Sequence, residues 1–383
     1  MNSRSTPTTA FSAPAPVRRL ESVQILRGVA AMLVVFHHAA FLLVTTPTSP
    51  AGQSLLVPSR HFGQLGATGV DLFFVISGFV MALGASRFTG PAGAGVFLTQ
   101  RFIRIAPLFY LASLVMLAEY LRARVPIDPV SVLNSLTFIP IFDDETYSWP
   151  LHYLGWTLAF EFVFYLVVAG LIAAGLGGRH GLLVAIMLTL PLLGMLVDLE
   201  PILWKIVTNG LLWEFALGVL ACILWERGWL KRLRIPFAAA FFLSLVAAGF
   251  ALRLSPEYQL AVGLNPVEGA TTAVRSFYWG LPVFFFFCMI VGSAGLAEGR
   301  LARLLRLLGD ASYSIYLSHL FVVMAIKLVH SRVALPADLV VVATLVLSAV
   351  VGVAVYQLAE KPMLKAGQRS IRGWSVRHMR TAG

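Results

Sequence analysis

Apolar runs of about twenty residues recur along this chain from Ser22 to beyond Val350. Twenty residues of helix, at about 1.5 Å of rise each, match the thickness of a bilayer core. In lipid every backbone N–H and C=O must be satisfied within the segment, and uninterrupted runs of this length do so as helices. Windows of this size place ten spans, near 22–44, 66–85, 102–121, 151–176, 181–198, 207–225, 236–254, 277–297, 308–329 and 338–358. Composition agrees, with 58% hydrophobic and only 12% charged residues, about half the charge of a soluble domain. The expected fold is all-α, a polytopic membrane protein with about ten transmembrane helices. The Arg18-Arg19 pair before the first run is signal-like, but that run is longer than a signal core and lacks a small-residue cleavage site after it, so it is read as an uncleaved span.

Charge sets the expected orientation. With the N-terminus inside, twenty of the 29 Lys and Arg residues fall on inner segments, seven on outer ones, and Arg27 and Lys327 lie within spans. That asymmetry follows the positive-inside rule and puts both termini in the cytoplasm. It also accounts for the net charge of +11, which would otherwise suggest nucleic acid; no nucleic-acid partner is expected. The expected organisation is a disordered arm over 1–21, a transmembrane domain over 22–363 and a basic tail over 364–383. Cys222 and Cys288 both sit in apolar runs, so neither a disulfide framework nor a metal site is expected.

Ionisable groups are costly in lipid, and those at membrane depth are candidates for function. Arg27 and His38 are eleven residues apart, about 20° from the same helix face and about 16 Å along the axis. His37 points about 100° away. A hydrogen-bonded packing histidine and a snorkelling arginine are an equally good account of that pair taken alone. Asp71 opens the second span and is read equally as a group that orients a histidine or as an N-terminal helix cap. Arg101 and Arg104, at the start of the third span, lie on one face and can grip one anionic group, or else serve as inner-face anchors. Glu161 sits about ten residues into the fourth span and needs a partner or a role. Ser77-Gly78 lacks the glycine of an intramembrane serine protease two residues earlier, where Val75 stands. The outer connection from Arg122 to Pro150, with Asp128, Asp143, Asp144 and Glu145, suits a polar ligand or a plain solvated loop.

Together these residues carry a resemblance. The arginine, ten residues and histidine from Arg27 to His38 are followed by Gly69-Val70-Asp71-Leu72-Phe73-Phe74-Val75-Ile76-Ser77-Gly78-Phe79. The arginine pair before Pro107, Gly155-Trp156-Thr157-Leu158 leading to Glu161, Leu308 to His319, and Glu360-Lys361-Pro362 complete the set. The chain resembles the acyltransferase-3 family of integral-membrane O-acyltransferases from about Leu20 to Met363. Leu136-Thr137-Phe138-Ile139-Pro140 is most like the branch that acylates bacterial exopolysaccharides. It departs from the pattern at Gln100, at Ala159-Phe160 and in the doubled histidine at His37.

The resemblance implies transfer of an acyl group, commonly acetyl, from cytoplasmic acyl-CoA (acetyl-CoA) to a hydroxyl of a glycan acceptor, an exopolysaccharide or lipid-linked saccharide at the outer side. It implies His38 as general base or acyl carrier, with Arg27, Asp71 and Glu161 holding the imidazole tautomer or the developing charge. Arg101 and Arg104 would bind the donor. Ser312, Tyr316 and His319 would line the acceptor path, or merely bond between helices. A glycan exporter is the competing class, but no repeat between halves is visible.

Overall fold

The computed structural model describes residues 20–45, 54–143, 145–197, 199–254, 269–293 and 299–369. The expected N-terminal arm, apart from its last two residues, and most of the basic tail lie outside them. The described residues are helices joined by short turns, with no strand among them. The long helices are α1 (Glu21–Thr45), α2 (Thr68–Ala85), α3 (Gly90–Ala123), α4 (Trp156–Ala173), α5 (His180–Leu196), α6 (Leu212–Glu226), α7 (Arg234–Leu254), α8 (Thr271–Val291), α9 (Arg300–Asp310), α10 (Ser312–Val333) and α11 (Ala337–Arg369). Among the described residues eight helices are long and apolar enough to cross a membrane; α5 and the apolar part of α7 occupy the fifth and seventh expected spans but are shorter.

Two boundaries move. α3 begins at Gly90, with Pro91 in its first turn where its missing N–H costs nothing, and runs 34 residues. Arg101 and Arg104 are therefore well inside a helix and not at its start. The ninth expected span, 308–329, is divided at Ala311. Leu308, Gly309 and Asp310 end the amphipathic α9, and the apolar helix begins only at Ser312.

Close packing explains the motif glycines. A Cβ on Gly28 would lie 2.9 Å from the Gly309 backbone nitrogen, and one on Gly218 would lie 2.9 Å from the Gly78 Cα. α1 thus touches the end of α9, and α2 crosses α6 at backbone contact, as small residues allow between membrane helices. Around these contacts an aromatic core forms, in which Phe215 stacks on Phe74 at 4.7 Å and on Phe164 at 4.7 Å between ring centroids.

Two helices widen by one residue per turn, over Ser276–Gly280 in α8 and Tyr356–Glu360 in α11. Each wide turn ends two residues before a proline, Pro282 or Pro362, which supplies no N–H and whose ring obstructs the preceding turn. The widened turns carry Ser276 and Glu360, both buried polar residues.

On the connection between α3 and α4, Asp128 accepts from the Val130 and Ser131 N–H groups at 3.0 and 3.3 Å and caps the short helix Pro129–Thr137. The Val130 N–H leads the bonds that hold the Asp128 carboxyl below the ordinary carboxylate range.

Candidate active site

A cavity of about 120 Å³ lies where α1, α2, α3, α4 and α10 converge. Its polar wall is made by Arg27 from α1, Arg101 and Arg104 from α3, Glu161 and Tyr165 from α4, Ser77 from α2 and Tyr313 from α10. Val70, Phe73, Phe74, Ile76, Met81 and Leu158 close the apolar side. Arg27 donates from Nε to Ser312 Oγ at 3.3 Å. Arg104 pairs with Glu360, whose other oxygen accepts from Ser314 Oγ at 2.5 Å. Arg101 lies over the Phe97 ring at 5.8 Å, and its Nε is buried with no hydrogen-bond partner among the described residues. Glu161 has Ser77 and Tyr165 as hydrogen-bonding neighbours, with the charges of Arg27 and Arg101 close by. Three guanidinium groups therefore face two carboxylates, Glu161 and Glu360, in a low-dielectric space that suits an anion.

The expected site residues thus fall into three groups. Arg27, Arg101, Arg104, Glu161 and Tyr316 share the cavity, with Ser312 behind Arg27. Tyr316 Oη and Thr157 Oγ1 meet at 3.0 Å at its edge, and both lie at 3.1 Å from the Leu154 carbonyl.

His38 and His319 form the second group. His38 Nδ1 is 2.9 Å from the Val34 carbonyl and 3.2 Å from His319 Nε2. His319 Nδ1 is 3.2 Å from the Ile315 carbonyl. A carbonyl only accepts, so both rings carry their proton on Nδ1, and the His38 N–H is shared between Val34 and His319 Nε2. The basic lone pair of His38 is then on Nε2, which accepts from the Tyr153 hydroxyl at 2.6 Å. His37 instead bonds the Gly63 carbonyl at 3.3 Å and does not join this chain.

Asp71 is the third case and corrects an expectation. Arg275 grips it with both arms of the fork, Nε to Oδ1 at 3.0 Å and Nη2 to Oδ2 at 2.6 Å, and also donates to the Ala67 carbonyl at 3.1 Å. Ser276 then bonds Glu214 at 3.0 Å. Asp71 joins α2 to α8 and touches neither histidine. The tautomer of His38 is held by the Val34 carbonyl and His319, not by Arg27, Asp71 or Glu161. Arg27 lies about 16 Å along α1 from His38, too far to stabilise charge beside that imidazole.

Two participants carried no recognisable signal: Tyr153 and Arg275 stand outside every motif of the resemblance. Tyr165, Tyr313 and Glu360 stand inside or beside those motifs, at Glu161, in Leu308 to His319 and in Glu360-Lys361-Pro362, but were not singled out as site residues. A separate trio could hold a metal ion. His180, Cys222 and Glu226 bring one donor atom each within 4.8 Å of one another, an N, S and O set that suits a borderline ion such as zinc.

A family model for the acyltransferase domain, Acyl_transf_3, matches residues 20–357. The chain belongs to this acyltransferase-3 family, and with its apolar helices it is a multi-pass membrane protein. It is 31% identical over 316 residues to the exopolysaccharide production protein ExoZ of Rhizobium meliloti (strain 1021), covering 80% of this chain and 92% of that protein. It is also 33% identical over 108 residues to protein 2 in the picA locus of Rhizobium radiobacter, covering 28% of this chain and 48% of that one. No solved structure matches.

Proposed function

We infer that this protein is an O-acyltransferase of the bacterial inner membrane that moves an acyl group, acetyl in the first instance, from cytoplasmic acyl-CoA to a hydroxyl of an exported glycan. The observation that carries this is the cavity in which Arg27, Arg101 and Arg104 outnumber the carboxylates. CoA is a long molecule with phosphates at one end and the thioester at the other. The axial distance of about 16 Å between Arg27 and His38 suits a donor held by its anionic end with its acyl end directed outward. The ExoZ relationship supports a glycan acceptor.

In this mechanism the acceptor hydroxyl presents its proton to His38 Nε2, and its oxygen attacks the thioester carbonyl carbon as the proton leaves. The tetrahedral intermediate collapses with loss of the C–S bond, and the departing thiolate takes the proton back from the imidazolium. Atoms balance as ester plus free thiol. His319 Nε2, accepting from His38 Nδ1, stabilises the charged ring while the proton is held. Tyr316 lines the cavity together with Thr157, and its ring lies 6.2 Å from that of His319, which supports an approach of the thioester to the histidines on this side.

The test is covalent transfer of radiolabelled acetyl from acetyl-CoA to glycan in membranes containing the protein. Label in the glycan that depends on His38 supports the reading. Glycan export without label would make the protein a transporter.

A further inference from the structure

His38 is 9% exposed and does not line the arginine cavity, so the acceptor needs its own way in. The hydroxyl covering the His38 lone pair belongs to Tyr153, and from Tyr153 a series of rings leads away. Trp149 follows at 5.9 Å between centroids, tilted by 57°, and Tyr147 at 5.3 Å from Trp149, at 72°. Trp149 is 38% exposed, Tyr147 beside it and Tyr153 are half-buried, and His38 is almost covered, so the path descends from Trp149 at the surface to the base. Tyr153 opens the tight turn Tyr153–Gly155 that leads into α4, and Glu161 lies eight residues, about 12 Å, beyond it. The rings therefore approach His38 from the end opposite the arginines.

The segment that carries them is pinned. Asn134 donates from Nδ2 to Asp143 Oδ2 at 2.9 Å and to the Ser148 carbonyl at 2.7 Å, while the Ser148 N–H donates to Asp143 Oδ1 at 3.3 Å. Ser135 Oγ accepts from the Leu151 N–H at 2.8 Å. Such a platform is pre-organised and loses little entropy on binding. Each Asp143 oxygen keeps a further lone pair for a hydroxyl donor. An aromatic face beside a carboxylate matches a pyranose, which has an apolar C–H face, polarised towards a π-cloud, and a rim of hydroxyls.

We propose that Tyr147, Trp149 and Tyr153, with Asp143 at the rim, form the acceptor subsite. One pyranose ring lies on Trp149, and the hydroxyl to be acylated takes the place of Tyr153 Oη on His38 Nε2. This rests on the acyltransferase reading above.

The full chain in lipid nanodiscs is assayed with labelled acetyl-CoA and two acceptors, cellotetraose and β-1,4-galactotetraose, with acetyl-CoA affinity measured separately. Trp149→Ala raises the acceptor KM about tenfold, the equivalent of about 1.4 kcal/mol, at unchanged acetyl-CoA affinity, and Trp149→Phe recovers most of it. Tyr153→Phe uncovers Nε2 and increases acetyl-CoA hydrolysis in the absence of acceptor. An unchanged acceptor KM in Trp149→Ala overturns the subsite. So does a wild-type protein that binds acetyl-CoA yet acylates neither tetrasaccharide. Failure of the wild type to bind or consume acetyl-CoA at all removes the acyltransferase reading instead.

Discussion

Two clusters of buried charge, built from the same residue types, behave differently. In the Asp71–Arg275 cluster both carboxylate oxygens and three guanidinium donor contacts are used, the guanidinium is 6% exposed and the carboxylate not at all. In the arginine cavity, Arg101 Nε has no hydrogen-bond partner among the described residues, Arg27 reaches a hydroxyl at 3.3 Å, and open space separates the groups. The Asp71–Arg275 pair spends its charge on itself rather than on a ligand and holds helices together. An unsaturated group of cations around a cavity is poised for one. Burial marks both clusters; a bidentate ion pair in one and an open cavity among three arginines in the other separate them.

Variants that separate folding from chemistry test this contrast, in the Asp71–Arg275 pair, at the cavity edge and in the histidine pair that the donor would reach. His38→Ala removes the proposed acid–base group and should lower transfer by about 10² to 10⁴ with normal yield of folded protein; His37→Ala should stay active. Equal losses for the two in a membrane acyl-transfer assay would break the tautomer argument. Asp71→Asn leaves the Arg275 charge buried and half-paired, a change that costs about 3–5 kcal/mol where it has been measured. Its thermal unfolding in detergent should occur at a clearly lower temperature, while any protein that remains folded keeps its affinity for acetyl-CoA. His319→Ala should fall between wild type and His38→Ala in kcat with little change in donor KM, because it orients the ring without touching the donor. Tyr316→Phe loses a neutral hydrogen bond worth about 0.5–1.5 kcal/mol and should slow transfer only severalfold.

Much of this was legible in the sequence because lipid imposes strict rules. Helicity follows from the apolar runs, and ionisable residues inside them are few enough that Arg27, Arg101, Arg104 and Glu161 stand out from sequence alone. The eleven residues from Arg27 to His38 and the three from Arg101 to Arg104 define helix faces, but only the fold supplies partners. Asp71 illustrates the limit. Its motif is conspicuous, yet the arginine that claims it lies 204 residues away in the chain, and no local pattern announces Arg275. The placement of Tyr153 was equally illegible, because a tyrosine ahead of an apolar helix is unremarkable until it is found 2.6 Å from an imidazole. The division of the ninth expected span had a local cause that was visible in principle: Arg300, Arg303 and Arg306 alternate with leucines at helical spacing, which marks an amphipathic helix and not a crossing one.

The cavity is the proposed donor site, and calorimetry of acetyl-CoA binding to the purified protein is its most direct test. The double variant Arg101→Gln, Arg104→Gln should bind at least tenfold more weakly, since each charge-assisted contact contributes about 1.5–3 kcal/mol and about 1.4 kcal/mol is one decade. Lysine at both positions should restore part of the affinity, because an ammonium keeps the charge without the fork. An unchanged dissociation constant in the double Gln variant would contradict the claim and return both arginines to anchoring the helix.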